Sequence, residues 1–215
     1  MEELNFIIRW GHLLFGITWI GMLYYFNFVQ GGYFKNASAE ALVDAKAKLA
    51  PSALWWFRWG AMFTFITGVI LLAKVGKPVF FNEYIVLGAL MGTFMFLNVW
   101  LVIWPAQQVA LGMKEGDAAA AGAKALLASR TNTLFSGPMA YCMLASAHLG
   151  YTPDHLLLGE YAQGGGLGFW IALGIVIALE INALMGKMGP IASVKGVIHM
   201  SLLLTAVLIC SMLFI

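Results

Sequence analysis

Two histidines lie in stretches of this sequence that are otherwise apolar. His12 belongs to residues 9–26, a run long enough to cross a bilayer that nevertheless carries Arg9 in its first turns. Arg9 and His12 are three apart, so a helix presents them on one face, with Gly16 one turn further along. His148 closes a second apolar stretch. Ionisable groups inside a membrane are costly and usually face a partner, a cavity or a ligand. Two imidazoles projecting from different helices into an apolar interior form the donor set of an axially ligated haem b. On that reading His12 and His148 bind the iron. Gly16 leaves room for the porphyrin, and Arg9 neutralises a propionate or raises the haem potential. The plainer alternative is that each histidine is an interfacial polar residue bonded to a neighbour.

A second set of polar residues gathers toward the other side of the same spans. Glu180 sits within an apolar run, with His199, Arg58, Arg130, Asn98 and Asn132 near the corresponding ends of other runs. Such a cluster could relay protons, bind a polar ligand or knot the helices together. His155 falls in a polar loop and is expected to be solvated. Gly88 and Gly92 are four apart on one apolar run, the pattern of a close helix contact.

The elements that must hold these groups follow from composition. The 215-residue chain is 61% hydrophobic and 10% charged, with a mean hydropathy of +0.85. The expected fold is all-α, a polytopic integral membrane bundle forming a single membrane domain over residues 1–215. Nothing in the charge pattern suggests nucleic acid. The two cysteines lie in apolar runs, and no CxxCH motif for covalent haem occurs. Six spans are expected, at about residues 6–29, 54–73, 84–104, 133–149, 167–186 and 197–215. Pro138 should distort the start of the fourth. The first run lacks a small-residue cleavage site and reads as a retained helix.

Two connections each predict a short surface helix. The first is capped by Ser38 and ended by Pro51; the second is capped by Asp117. With the N-terminus outside, nine lysines and arginines fall in inner loops and three outside, which orients both termini outward.

Three blocks of residues together resemble a known family. They are Arg9, Trp10, His12, Trp19, Ile20, Gly21, Tyr25 and Phe26; then Asn98, Trp100, Val102, Ile103, Pro105 and Gln107; then Ser129, Arg130, Asn132, Pro138 and His148. In this pattern the chain resembles the N-terminal membrane region of bacterial membrane-bound urate oxidases. The resemblance spans roughly residues 5–150 and implies a bacterial inner-membrane setting. It departs from the family where Ala106 replaces a frequent asparagine, and no cytochrome c domain is present in the sequence. Two function classes follow. One is a haem b protein passing electrons from a quinone or small reductant to an outer-face acceptor such as cytochrome c. The other is a membrane urate or purine oxidase. A cofactor-free transporter or structural subunit built on the polar cluster is the third reading. The partners implied are membrane lipid, a quinone, a cytochrome c and further copies of the chain.

Overall fold

The computed structural model of the chain describes residues 2–74, 82–149 and 166–214. The loop carrying His155 lies outside the described residues. Six long helices and no strand occur among the described residues. They are α1 (Glu2–Asn36), α2 (Ala39–Ala73), α3 (Glu83–Ala110), α4 (Ala118–His148), α5 (Leu167–Met185) and α6 (Val194–Phe214). A short 3₁₀ turn, Gly189–Ala192, precedes α6.

Five of these helices, all but α4, are long and apolar enough to cross a membrane. Their apolar side chains are also turned outward: Phe6, Leu13 and Ile17 on α1, and Leu202, Leu203 and Phe214 on α6, are all more than half exposed. Water would not tolerate so much apolar surface on a monomer, whereas lipid tails are its natural solvent. The sequence expectation of six apolar spans therefore needs correction at the fourth. α4 runs for 31 residues, about 46 Å at 1.5 Å per residue. It is buried on every side from residue 130 to residue 136, so it shows no apolar stripe and includes Arg130, Thr131, Asn132, Thr133 and Ser136. Thr131 and Thr133 donate to the carbonyls of Leu127 and Ser129, four residues back. Such back-bonding satisfies a hydroxyl within its own helix.

The expected surface helices are not separate elements. The Ser38 hydroxyl accepts from the Ala41 N–H at 3.3 Å, and Asp117 accepts from Ala119 and Ala120. Each cap starts its helix as expected, yet both helices run on into the next span. Pro51 does not end the first, because the turn before it, Ala45–Leu49, is π-helical. The same device precedes Pro105, where Asn98–Ile103 is π-helical and the helix continues from Trp104. In an α-helix the proline ring would strike the carbonyl four residues back. A widened turn moves that carbonyl aside and the helix survives. Pro138 lies inside α4 without ending it.

The chain divides into two compact units, and α3 and α4 contribute to both. Unit 1 comprises Met1–Leu71 and Met95–Thr133; unit 2 comprises Leu72–Phe94 and Leu134–Ile215. Unit 2 is packed through small residues. A Cβ on Gly88 would lie 3.2 Å from the Cys142 Cβ and 3.3 Å from the Met143 nitrogen, so α3 and α4 meet at the glycine pair, as the Gly88/Gly92 spacing predicts. A Cβ on Gly168 of α5 would run into the Ser211 carbonyl of α6. Asn82 accepts from the Ile85 N–H at the start of α3 and donates to the Ser146 carbonyl at 3.0 Å.

Candidate functional site

In unit 1, α1 and α2 lie antiparallel in a register set by three glycines. A Cβ on Gly60 would lie 3.1 Å from the Trp19 nitrogen. One on Gly16 would meet the Thr64 methyl at 3.9 Å, and one on Gly68 would lie 3.1 Å from Cε1 of His12. At each step a glycine on one helix receives a larger residue of the other. This seam fixes the imidazole of His12. Its Nδ1–H donates to the Thr64 carbonyl at 3.0 Å and to the Thr67 hydroxyl at 3.1 Å. A carbonyl only accepts, so Nδ1 carries a proton, and in the neutral imidazole Nε2 keeps its lone pair. Gly16 faces Thr64, and a Cβ there would make an ordinary contact.

His148, in unit 2, is exposed at the end of α4. Its Nδ1–H donates to the Leu144 carbonyl at 2.9 Å, which leaves Nε2 free in the same way. Arg9 is exposed one turn before His12.

The polar cluster expected from the sequence divides between the units. Glu180 is buried and His199 is exposed in unit 2. Arg58, Asn98, Arg130 and Asn132 belong to unit 1. There Asn98 donates to Asn132 Oδ1 at 3.0 Å, and Asn132 donates to the Met95 carbonyl at 2.9 Å. These bonds join α3 to α4. Asn27 performs the same service between α1 and α4, donating to the Ser129 hydroxyl at 2.8 Å. Arg58 takes a different part. Its Nε–H donates to the Leu54 carbonyl, and its guanidinium lies 3.4 Å from the centroid of the Trp104 ring and 5.7 Å from that of Trp100. A cation held over two indoles is stabilised by ring electrostatics without a carboxylate. Arg130 is buried, and its Nε and Nη1 have no hydrogen-bond partner among the described residues. The unpartnered buried atoms of this unit also include Asn27 Oδ1, Gln30 Oε1 and Trp100 Nε1.

Sequence reasoning missed Thr64, Thr67 and Gly68, which hold His12. A threonine, a second threonine three residues on and an adjacent glycine mark one small, polar face of α2, a signal visible in the sequence once a histidine partner is sought.

A model of the urate oxidase N-terminal family matches residues 79–157, a little over a third of the chain. The chain resembles the urate oxidase N-terminal region. The matched stretch takes in α3 and α4 and with them Asn98, Trp100, Pro105, Gln107, Arg130, Asn132, Pro138 and His148, two of the three residue blocks on which the resemblance rests. No curated protein sequence and no solved structure matches the chain.

Proposed function

We propose that the chain is a membrane-embedded haem b protein that moves electrons from a quinone or small reductant to an outer-face acceptor such as cytochrome c. It would sit in a bacterial inner membrane with both termini outside. The observation that supports this reading is the state of the two membrane histidines. Each is tied through Nδ1–H to a backbone carbonyl. A metal-ligating imidazole characteristically donates its other N–H in this way, which fixes the tautomer and raises the basicity of Nε2. His12, and likewise His148, would each offer Nε2 to iron, and Arg9 would pair with a propionate. Bound haem would supply a one-electron couple in an apolar setting. The Thr64 carbonyl, the Thr67 hydroxyl and Gly68 orient His12 for that role. The test is the visible spectrum of the detergent-purified protein, oxidised and dithionite-reduced. A Soret band with sharp reduced α and β bands, lost in His12→Ala and in His148→Ala, is the expected result. A colourless, folded protein after haem supplementation would exclude it.

The family match over residues 79–157 favours a second reading, oxidation of urate or a related purine with electrons passed to a separate cytochrome c. Urate-dependent reduction of added cytochrome c by purified protein separates it from simple electron transfer.

A further inference from the structure

Arg58 is a permanent cation on an otherwise apolar stretch of α2, since a guanidinium keeps its proton in proteins. Among the described residues no carboxylate pairs with it. Its Nε–H is spent on the Leu54 carbonyl of its own helix at 3.3 Å, and its two terminal nitrogens make no hydrogen bond among those residues. The side chain is half-buried, so it can be reached from outside. At 3.4 Å from the Trp104 centroid the guanidinium rests on the ring face. Stacking of this kind leaves the edge of the guanidinium open to a ligand.

The surroundings set the depth of this cation. Five of the eight tryptophans gather here, Trp55, Trp56 and Trp59 on α2 with Trp100 and Trp104 on α3. Trp55 touches Trp56 and Trp59, and Trp59 touches Trp100 at 5.8 Å between centroids. Trp55 and Trp56 are about half exposed. Indoles gathered in this way mark the boundary between bilayer and water, the level of the lipid headgroups. Past Trp104 the sequence turns polar at Gln107 and Gln108. In the other direction Phe63, in contact with Trp59, and Leu97 expose apolar side chains. The cluster is also one-sided in its hydrogen bonding. Trp100 Nε1 is buried without a partner among the described residues, and indole and guanidinium both only donate. The ligand that fits is an acceptor-only anion attached to an apolar body.

We propose that Arg58, seated on Trp104, binds the phosphodiester of an anionic glycerophospholipid, with the acyl chains lying along Phe63 and Leu97. A phosphodiester keeps its negative charge, has no donor of its own and takes two parallel N–H bonds from a guanidinium edge. A choline headgroup would bring a second cation to the same place, so the site prefers a lipid of net negative charge. The inference rests on the bilayer setting and on neither the haem nor the purine-oxidase reading. The plainer alternative is a side chain that reaches interfacial water and selects no lipid.

The experiment is native mass spectrometry of the 215-residue chain in detergent, titrated with phosphatidylglycerol and, separately, with phosphatidylcholine of the same acyl chains. Phosphatidylglycerol is expected to bind about tenfold or more tightly than phosphatidylcholine. Arg58→Gln should weaken phosphatidylglycerol by about 10- to 100-fold, the range for a hydrogen bond to a charged group, and leave phosphatidylcholine nearly unchanged. Arg58→Lys keeps the charge and loses the planar two-point edge, so it serves if the glutamine variant fails to fold; a loss of about tenfold is expected. Trp104→Leu keeps the cation, removes its platform and should weaken phosphatidylglycerol severalfold. Equal binding of the two lipids by the parent, or a preference that survives in a folded Arg58 variant, would overturn the site. Inorganic phosphate bound through Arg58 with no preference between the lipids would make this a site for a soluble anion and would overturn it as well.

Discussion

Unit 1 contains two seams built on different chemistry. Between α1 and α2 the contact is made by glycines: Gly60 against Trp19, Gly16 against Thr64 and Gly68 against His12. Among α1, α3 and α4 it is made by amides: Asn27 to Ser129, Asn98 to Asn132 and Asn132 to Met95. The glycine seam is closed. Its histidine proton is shared by two acceptors, and at Gly60 backbone approaches backbone closely. On the amide seam Asn27 Oδ1 and two nitrogens of Arg130 are buried without hydrogen-bond partners among the described residues. The difference teaches a division of labour. In lipid there is no hydrophobic drive between helices, so close packing and interhelical hydrogen bonds must hold the bundle. The glycine seam uses the first and fixes the direction of His12; the amide seam uses the second and retains spare donors and acceptors.

Enlarging the glycine seam should have the greatest effect. In Gly60→Leu the new side chain meets the backbone of Trp19, which cannot move without parting the helices, and a loss of about 3 kcal/mol is expected, at the upper end for overpacking. Thermal unfolding in detergent, followed by helical circular dichroism, reads this directly; an unchanged midpoint would mean the seam is not closed. On the amide seam, Asn132→Ala leaves the Met95 carbonyl and the Asn98 amide short of a partner, and about 1–2 kcal/mol should be lost, the upper part of the range for polar contacts between membrane helices. Pairing it with Asn98→Ala in a double-mutant cycle should show coupling; strict additivity would show that the two amides do not act together.

Gly68→Ala should cost little more than about 1 kcal/mol, since the imidazole can give by a few tenths of an ångström. It should instead displace the histidine, and so change the haem absorbance more than the stability. Gly16→Ala should be the mildest, within about 0.5 kcal/mol of the parent, because its Cβ makes an ordinary contact with Thr64. If Gly16→Ala alone abolished haem binding at unchanged stability, the glycine would be a porphyrin floor after all.

The helices were legible because apolar runs of the right length leave few alternatives in a chain this hydrophobic. The caps at Ser38 and Asp117 were legible for a local reason: a short oxygen-bearing side chain meets N–H groups two or three residues away. The Gly88 and Gly92 contact was legible from spacing. What escaped depended on register between helices. Gly16 was visible in the sequence, yet its neighbour Thr64 is 48 residues away and only the antiparallel pairing brings the two together. Continuation through Pro51 escaped because proline forbids an α-turn but not a π-turn. α4 was expected as a span over residues 133–149; its run back to Ala118 escaped because residues 130–136, buried on every side, show no apolar stripe. Arg130, Asn98 and Asn132 were singled out for their type, while the bond that joins Asn98 to Asn132 required the fold.

The most direct test of the account is the oxidised-minus-reduced visible spectrum of the purified protein beside Thr67→Val, His12→Ala and His148→Ala. The account predicts b-type bands in the parent, their loss in both histidine variants, and a shifted or weakened band in Thr67→Val, which removes one of the two acceptors of the His12 proton. A parent protein that folds, takes up added haem in no proportion, and shows no Soret band would contradict it, and would leave His12 as a residue of the glycine seam alone.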